Sequence, residues 1–101
     1  MGIIRWIRRR ISRRLPWPRT VDEAVDRILW TLPDEDRELV KNTPEKALIQ
    51  FHHGWGTGIR NSFGLWAGNT ELLKSCGSED MHPDSASMVI IRAVWQRLHE
   101  P

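Results

Sequence analysis

Ala47-Leu-Ile-Gln-Phe-His-His-Gly-Trp-Gly-Thr-Gly-Ile-Arg-Asn-Ser-Phe63 is the stretch whose reading decides the fold. Leu48, Phe51, Trp55, Ile59 and Phe63 recur at steps of three and four, the spacing of one face of a helix. A strand would need apolar residues at every second position, and no part of the chain alternates that way for any length. Gly54, Gly56 and Gly58 interrupt the stripe. Three glycines weaken a helix by about 2–3 kcal/mol relative to alanine, so either another element approaches closely there or the chain breaks into a loop. The stripe keeps phase from Leu48 to Phe63, which favours one continuous helix.

Helix signals continue on both sides. Upstream, Thr20 and Glu23 make a capping box before Val21, Ala24, Val25, Ile28, Leu29 and Leu32, which predicts a helix over 20–31. Pro33 opens a second helix to about Lys41, with Asp34, Glu35 and Asp36 at its positive end, and Thr43-Pro44-Glu45 repeats the start signal. Downstream, Gly64 and Gly68 punctuate a turn around Leu65-Trp66. Asn69-Thr70-Glu71 begins a short helix ending near Cys76-Gly77, and residues 77–82 read as a polar loop. Pro83 opens the last helix, whose buried face is expected to be Met88, Ile91, Val94, Trp95 and Leu98. The expected fold is all-α, a compact bundle of four to five short helices preceded by a basic amphipathic helix.

The 101 residues suffice for one domain. The chain is 40% hydrophobic and 28% charged, a globular rather than disordered composition. Its six Trp supply core volume at about 150–250 Å² each. The net charge of +2 conceals a division. Residues 1–19 hold Arg5, Arg8, Arg9, Arg10, Arg13, Arg14 and Arg19 and no acid, whereas residues 20–101 carry 8 basic and 13 acidic side chains. The domain reading is therefore an arm and hinge at 1–19 and an acidic helical domain at 20–101.

Within the arm, Ile3, Ile4, Ile7, Ile11 and Leu15 fall on one helical face with Trp6 beside them, and Pro16-Trp17-Pro18 ends the segment as a stiff hinge. Such an arm suits anionic lipid, nucleic acid, or a protein groove such as the acidic face of a second copy. Its candidate contacts are Arg5, Trp6, Arg8, Arg9, Arg10, Arg13 and Arg14. Acids at 34–38 read as a solvated helix face or as a dock for the arm. No apolar run approaches the roughly 20 residues of a membrane span, the start lacks the pattern of a secretory signal, and an organelle transit peptide is the lesser reading of its arginines. Cys76, the single cysteine, excludes an internal disulfide, so the expected location is cytoplasmic, or peripheral at the inner membrane surface.

The most unusual residues run from His52 to Asn69. Ile59-Arg60-Asn61, Phe63-Gly64-Leu65-Trp66 and Gly68-Asn69, with the Thr20–Val25 opening and Ser87–Ile91, resemble the signature of a family of short bacterial and phage-associated proteins whose domain has no known function. The resemblance covers roughly residues 18–99 and implies a helical fold without a defined activity. The arm lies outside it.

His53, Arg60, Asn61, Trp66 and Asn69 are candidates to line a pocket. His supplies a base near neutral pH, and Arg can hold phosphate or carboxylate with two parallel bonds. His53 and Arg60 share a helical face, being seven apart. No Ser/His/Asp set, carboxylate pair or phosphate loop accompanies them, and the bland reading is that they satisfy backbone groups at the Gly-Asn turns. His52, His53, His82 and Cys76 lack metal-site spacing, and no strand precedes the glycines as a dinucleotide fingerprint requires, so neither metal nor cofactor is expected. The leading functional expectation is a non-enzymatic adaptor or regulator acting through the arm. The alternative is a phage or bacterial conflict protein whose Arg60 pocket binds or processes a nucleotide-like or phosphorylated ligand.

Overall fold

The computed structural model describes residues 16–101, so the expected N-terminal helix and the arm contacts from Arg5 to Arg14 lie outside the described residues. Among the described residues there are five α-helices, one 3₁₀ helix and no strand. The described residues are all-helical, as their periodicity predicts. Helical segments among the described residues number six against the expected four to five, because the long third helix is divided.

Helix α1 spans Val21–Thr31. Thr20 is extended, and its hydroxyl accepts from the Glu23 amide at 3.1 Å. The Glu23 carboxylate turns to the Arg19 amide rather than to that of Thr20, so the capping box closes one residue early. Helix α2 spans Asp34–Lys41, with Pro33 as its cap rather than its first helical residue. Arg37 reaches back to the Leu32 and Leu29 carbonyls and closes the open end of α1. Thr43 does not start the next helix. Its hydroxyl donates to the Leu39 carbonyl at 2.7 Å and finishes α2.

A 3₁₀ helix follows at Glu45–Phe51, then a turn, then α3 at Trp55–Ser62. The continuous helix expected over this stretch is therefore corrected to two. Gly54 has φ −89 and ψ −81, which no helical residue adopts. In a 3₁₀ helix, residues three apart eclipse one another, so the step from Leu48 to Phe51 suits that geometry as well as an α-helix. The turn at 52–54 then resets the register and returns Trp55, Ile59 and Phe63 to the core. The apolar stripe survives although the helix does not.

Helix α4, Thr70–Cys76, begins at the Asn69 cap, and α5, Pro83–Leu98, begins with Pro in its first turn. Helix α5 is the central element, touching α1, α2, α3, α4 and the 3₁₀ helix. Neighbours on several sides widen its buried face beyond the expected stripe. Ala86, Ser87, Ile90, Ile91 and Val94 are fully buried, whereas Met88, Trp95 and Leu98 lie at the margin. Around them Ala24, Val25, Ile28, Leu48, Trp55, Ile59, Phe63 and Leu72 complete the core. Burying an indole such as that of Trp55 withdraws about 150–250 Å² from water, about 4–6 kcal/mol of gross stabilisation. Trp95 also donates to the Thr43 carbonyl at 2.7 Å, tying α5 to the end of α2.

Candidate functional site

The five pocket candidates separate into two groups that do different things. Arg60, on α3, has a side chain only 8% exposed. Its Nε faces Asp84 Oδ1 at 3.3 Å, one terminal nitrogen donates to Ser87 Oγ at 2.8 Å, and the other donates to the His52 carbonyl and to Thr57 Oγ1. Three of the five N–H donors of the guanidinium are thus hydrogen-bonded, and its Nε is paired with a carboxylate. Gly56 leaves room for this: a Cβ there would lie 2.9 Å from the Arg60 guanidinium and 3.5 Å from Ser87 Oγ. Close approach is thus the role of that glycine, and the approaching group is a charged side chain of the same helix.

Asp84 has further neighbours. His52 Nε2 and His82 Nδ1 each lie 3.8 Å from its Oδ2, and Ser87 Oγ donates to its carbonyl at 2.9 Å. His82 also caps α5, Nδ1 accepting from the Asp84 amide at 3.0 Å. That bond needs Nδ1 without its proton. Trp66, 59% exposed, meets the His82 ring edge-on at 5.3 Å. His53 stands outward on the turn against the His52 ring, and Asn61 is exposed. Around Arg60 the arrangement ties the 52–54 turn and α3 to the start of α5. Among the described residues, no three His, Cys, Asp or Glu side chains are arranged to hold a metal ion.

Asn69 belongs to the second group. Its Nδ2 donates to the Pro18 carbonyl at 2.9 Å and to the Phe63 carbonyl at 2.8 Å, while Oδ1 accepts from the Leu72 amide and caps α4. The Trp17 indole lies over Gly64, which has φ +71, and any side chain at Gly64 would collide with that ring. Pro18 is buried, Arg19 is paired with Glu71, and Arg27 donates to the Pro16 carbonyl. Gly64 and Asn69 therefore form a clasp for Trp17 and Pro18. The Pro-Trp-Pro segment, grouped with the arm by composition, is bound to the body.

Sequence reasoning missed Asp84 and Ser87 as partners of Arg60, and Trp17 and Pro18 as partners of Gly64 and Asn69. All lie far along the chain from what they touch. The one available signal was the Gly64-Leu65-Trp66-Ala67-Gly68-Asn69 turn, whose two glycines and Asn suit unusual backbone and capping geometry. No curated protein and no solved structure matches the chain. The model of a domain of unknown function, DUF6794, matches residues 17–98, from Trp17 of the clasp to Leu98 at the end of α5, and the chain belongs to that family.

Proposed function

We propose that this chain is a small non-enzymatic helical adaptor or regulator whose arginine-rich arm engages a protein or an anionic partner, either nucleic acid or a membrane surface. The observation that carries this reading is the charge division: seven arginines and no acid in residues 1–19 of a chain whose remainder is acidic. The root of that arm is held to the body at Pro16, Pro18 and Arg19, so the body would orient whatever the arm binds. A place at the inner membrane surface fits the lipid form of this reading. No helix among the described residues is long and apolar enough to cross a membrane.

The test keeps the full chain, because removing residues through 18 would destroy the clasp. Arg8, Arg9, Arg10, Arg13 and Arg14 are replaced together by Gln, and binding to duplex DNA and to vesicles with and without acidic lipid is measured against salt. A nucleic-acid partner predicts that the log–log salt slope falls by about 4–5, close to 0.9 per lost phosphate contact. Unchanged binding by the variant would remove the arm from the function. The alternative, a conflict protein with an Arg60 pocket for a nucleotide-like or phosphorylated ligand, is the weaker reading, because Asp84, Ser87, Thr57 and the His52 carbonyl already occupy that guanidinium.

A further inference from the structure

We propose that the arm's own resting place is the exposed face of α1 around Trp30, so that an external partner must displace it. Trp30 is 80% exposed, the most exposed large apolar side chain among the described residues. With Glu23, Asp26 and Arg27 it lines a shallow open cleft of about 440 Å³. Covering that indole would withdraw up to about 200 Å² from water.

Three observations identify the occupant as the chain's own residues 1–15. The first is where that segment begins. Arg27, a wall of the cleft, donates to the Pro16 carbonyl, so the described chain begins beside the cleft. At about 3.5 Å per residue, two or three residues reach across it. The second is charge. Asp22, Glu23, Asp26 and Glu100 stand around this face against Arg27 and Arg97, with Arg97 shared among Asp22, Asp26 and Glu100. With Arg19 acting on Glu23, four carboxylates to three guanidiniums leave a small acidic surplus, and residues 1–15 contribute six arginines and no acid. The third is the stripe of Ile3, Ile4, Ile7, Ile11 and Leu15, which needs an apolar surface to cover it.

A tether this short holds the segment at an effective concentration on the order of millimolar, so even a weak contact is populated. The docking deepens the adaptor reading by giving the arm a competed state. It is read out with no partner present, so either idea can fail alone.

The experiment uses the full chain carrying Cys76→Ser, a nitroxide on Ile11→Cys, and ¹⁵N-labelled indoles, with the Trp30 signal assigned from Trp30→Phe. Docking predicts that at low salt the oxidised label reduces the Trp30 indole N–H signal to less than half its reduced-label intensity. Glu23→Lys, or salt raised to about 0.5 M to screen the charges, restores it. A Trp30 signal untouched by the label, or a loss that neither Glu23→Lys nor salt relieves, overturns the proposal. So does equal loss when labelled, ¹⁴N chains are mixed with unlabelled, ¹⁵N ones, because that contact would join two copies.

Discussion

Arg60 shows how one side chain can carry the appearance of a binding site and act as a joint. Its place on a helical face with His53 was legible from the sequence and made it a pocket candidate. Its partners were not, because Asp84 and Ser87 lie 24 and 27 residues away, beyond anything that periodicity reports. Once those contacts are known, substitutions at the two ends of the ion pair should differ in effect. Lys has no planar fork and cannot serve Asp84, Ser87, Thr57 and the His52 carbonyl together, so Arg60→Lys should lower unfolding free energy by about 2–3 kcal/mol. Asp84 is half-buried, with its side chain 44% exposed, and an ion pair so open to water contributes under about 1 kcal/mol. Asp84→Asn should therefore be the milder change. Urea midpoints of the two variants decide the order, and a harmless Arg60→Lys would return Arg60 to the list of ligand-binding candidates.

At the scale of elements, the helices and most of their ends could be read in advance, and the contacts between segments could not. The Thr20 and Asn69 caps and the Pro83 start follow local rules, and local rules leave local marks. The 3₁₀ helix escaped because apolar steps of three serve both helical forms. The clasp escaped because Trp17 and Gly64 meet across 47 residues. That clasp makes a testable unit. Ala at Gly64 would have to adopt φ +71, at about 1–2 kcal/mol, and would also push the Trp17 ring away. Asp at Asn69 would keep the oxygen that caps α4 while setting a carboxylate against the Pro18 and Phe63 carbonyls. Both variants should lose at least about 2 kcal/mol of stability and expose the Arg19–Thr20 bond to trypsin. If cleavage there stays as slow as in the parent chain, the segment is held by something other than these two residues.

At the scale of the molecule, the sequence foretold the helical class and the charge division but not that a single helix, α5, would touch every other described one. That arrangement gives the lone thiol a use as a reporter. Cys76 ends α4 with its sulfur 3.7 Å from the Ala86 carbonyl of α5, and burial pushes its pKa up from 9.0 to about 11. At neutral pH the folded chain then presents about 100-fold less thiolate than an exposed cysteine would. A disulfide reagent at pH 7.5 should accordingly react at least about 100-fold more slowly with the native chain than with the chain in urea. The gap should narrow as pH rises from 9 to 11, where the unfolded thiol is already ionised and the folded one is still losing its proton. Over the same interval folding stability should decline, because the folded state disfavours the thiolate that the unfolded state accepts. Gly64→Ala separates the two routes to reaction. If the thiol is reached only through global unfolding, a loss of about 2 kcal/mol raises the native rate about 30-fold. A rate indifferent to that substitution would mean that α4 frays from α5 on its own, leaving the rest of the bundle closed.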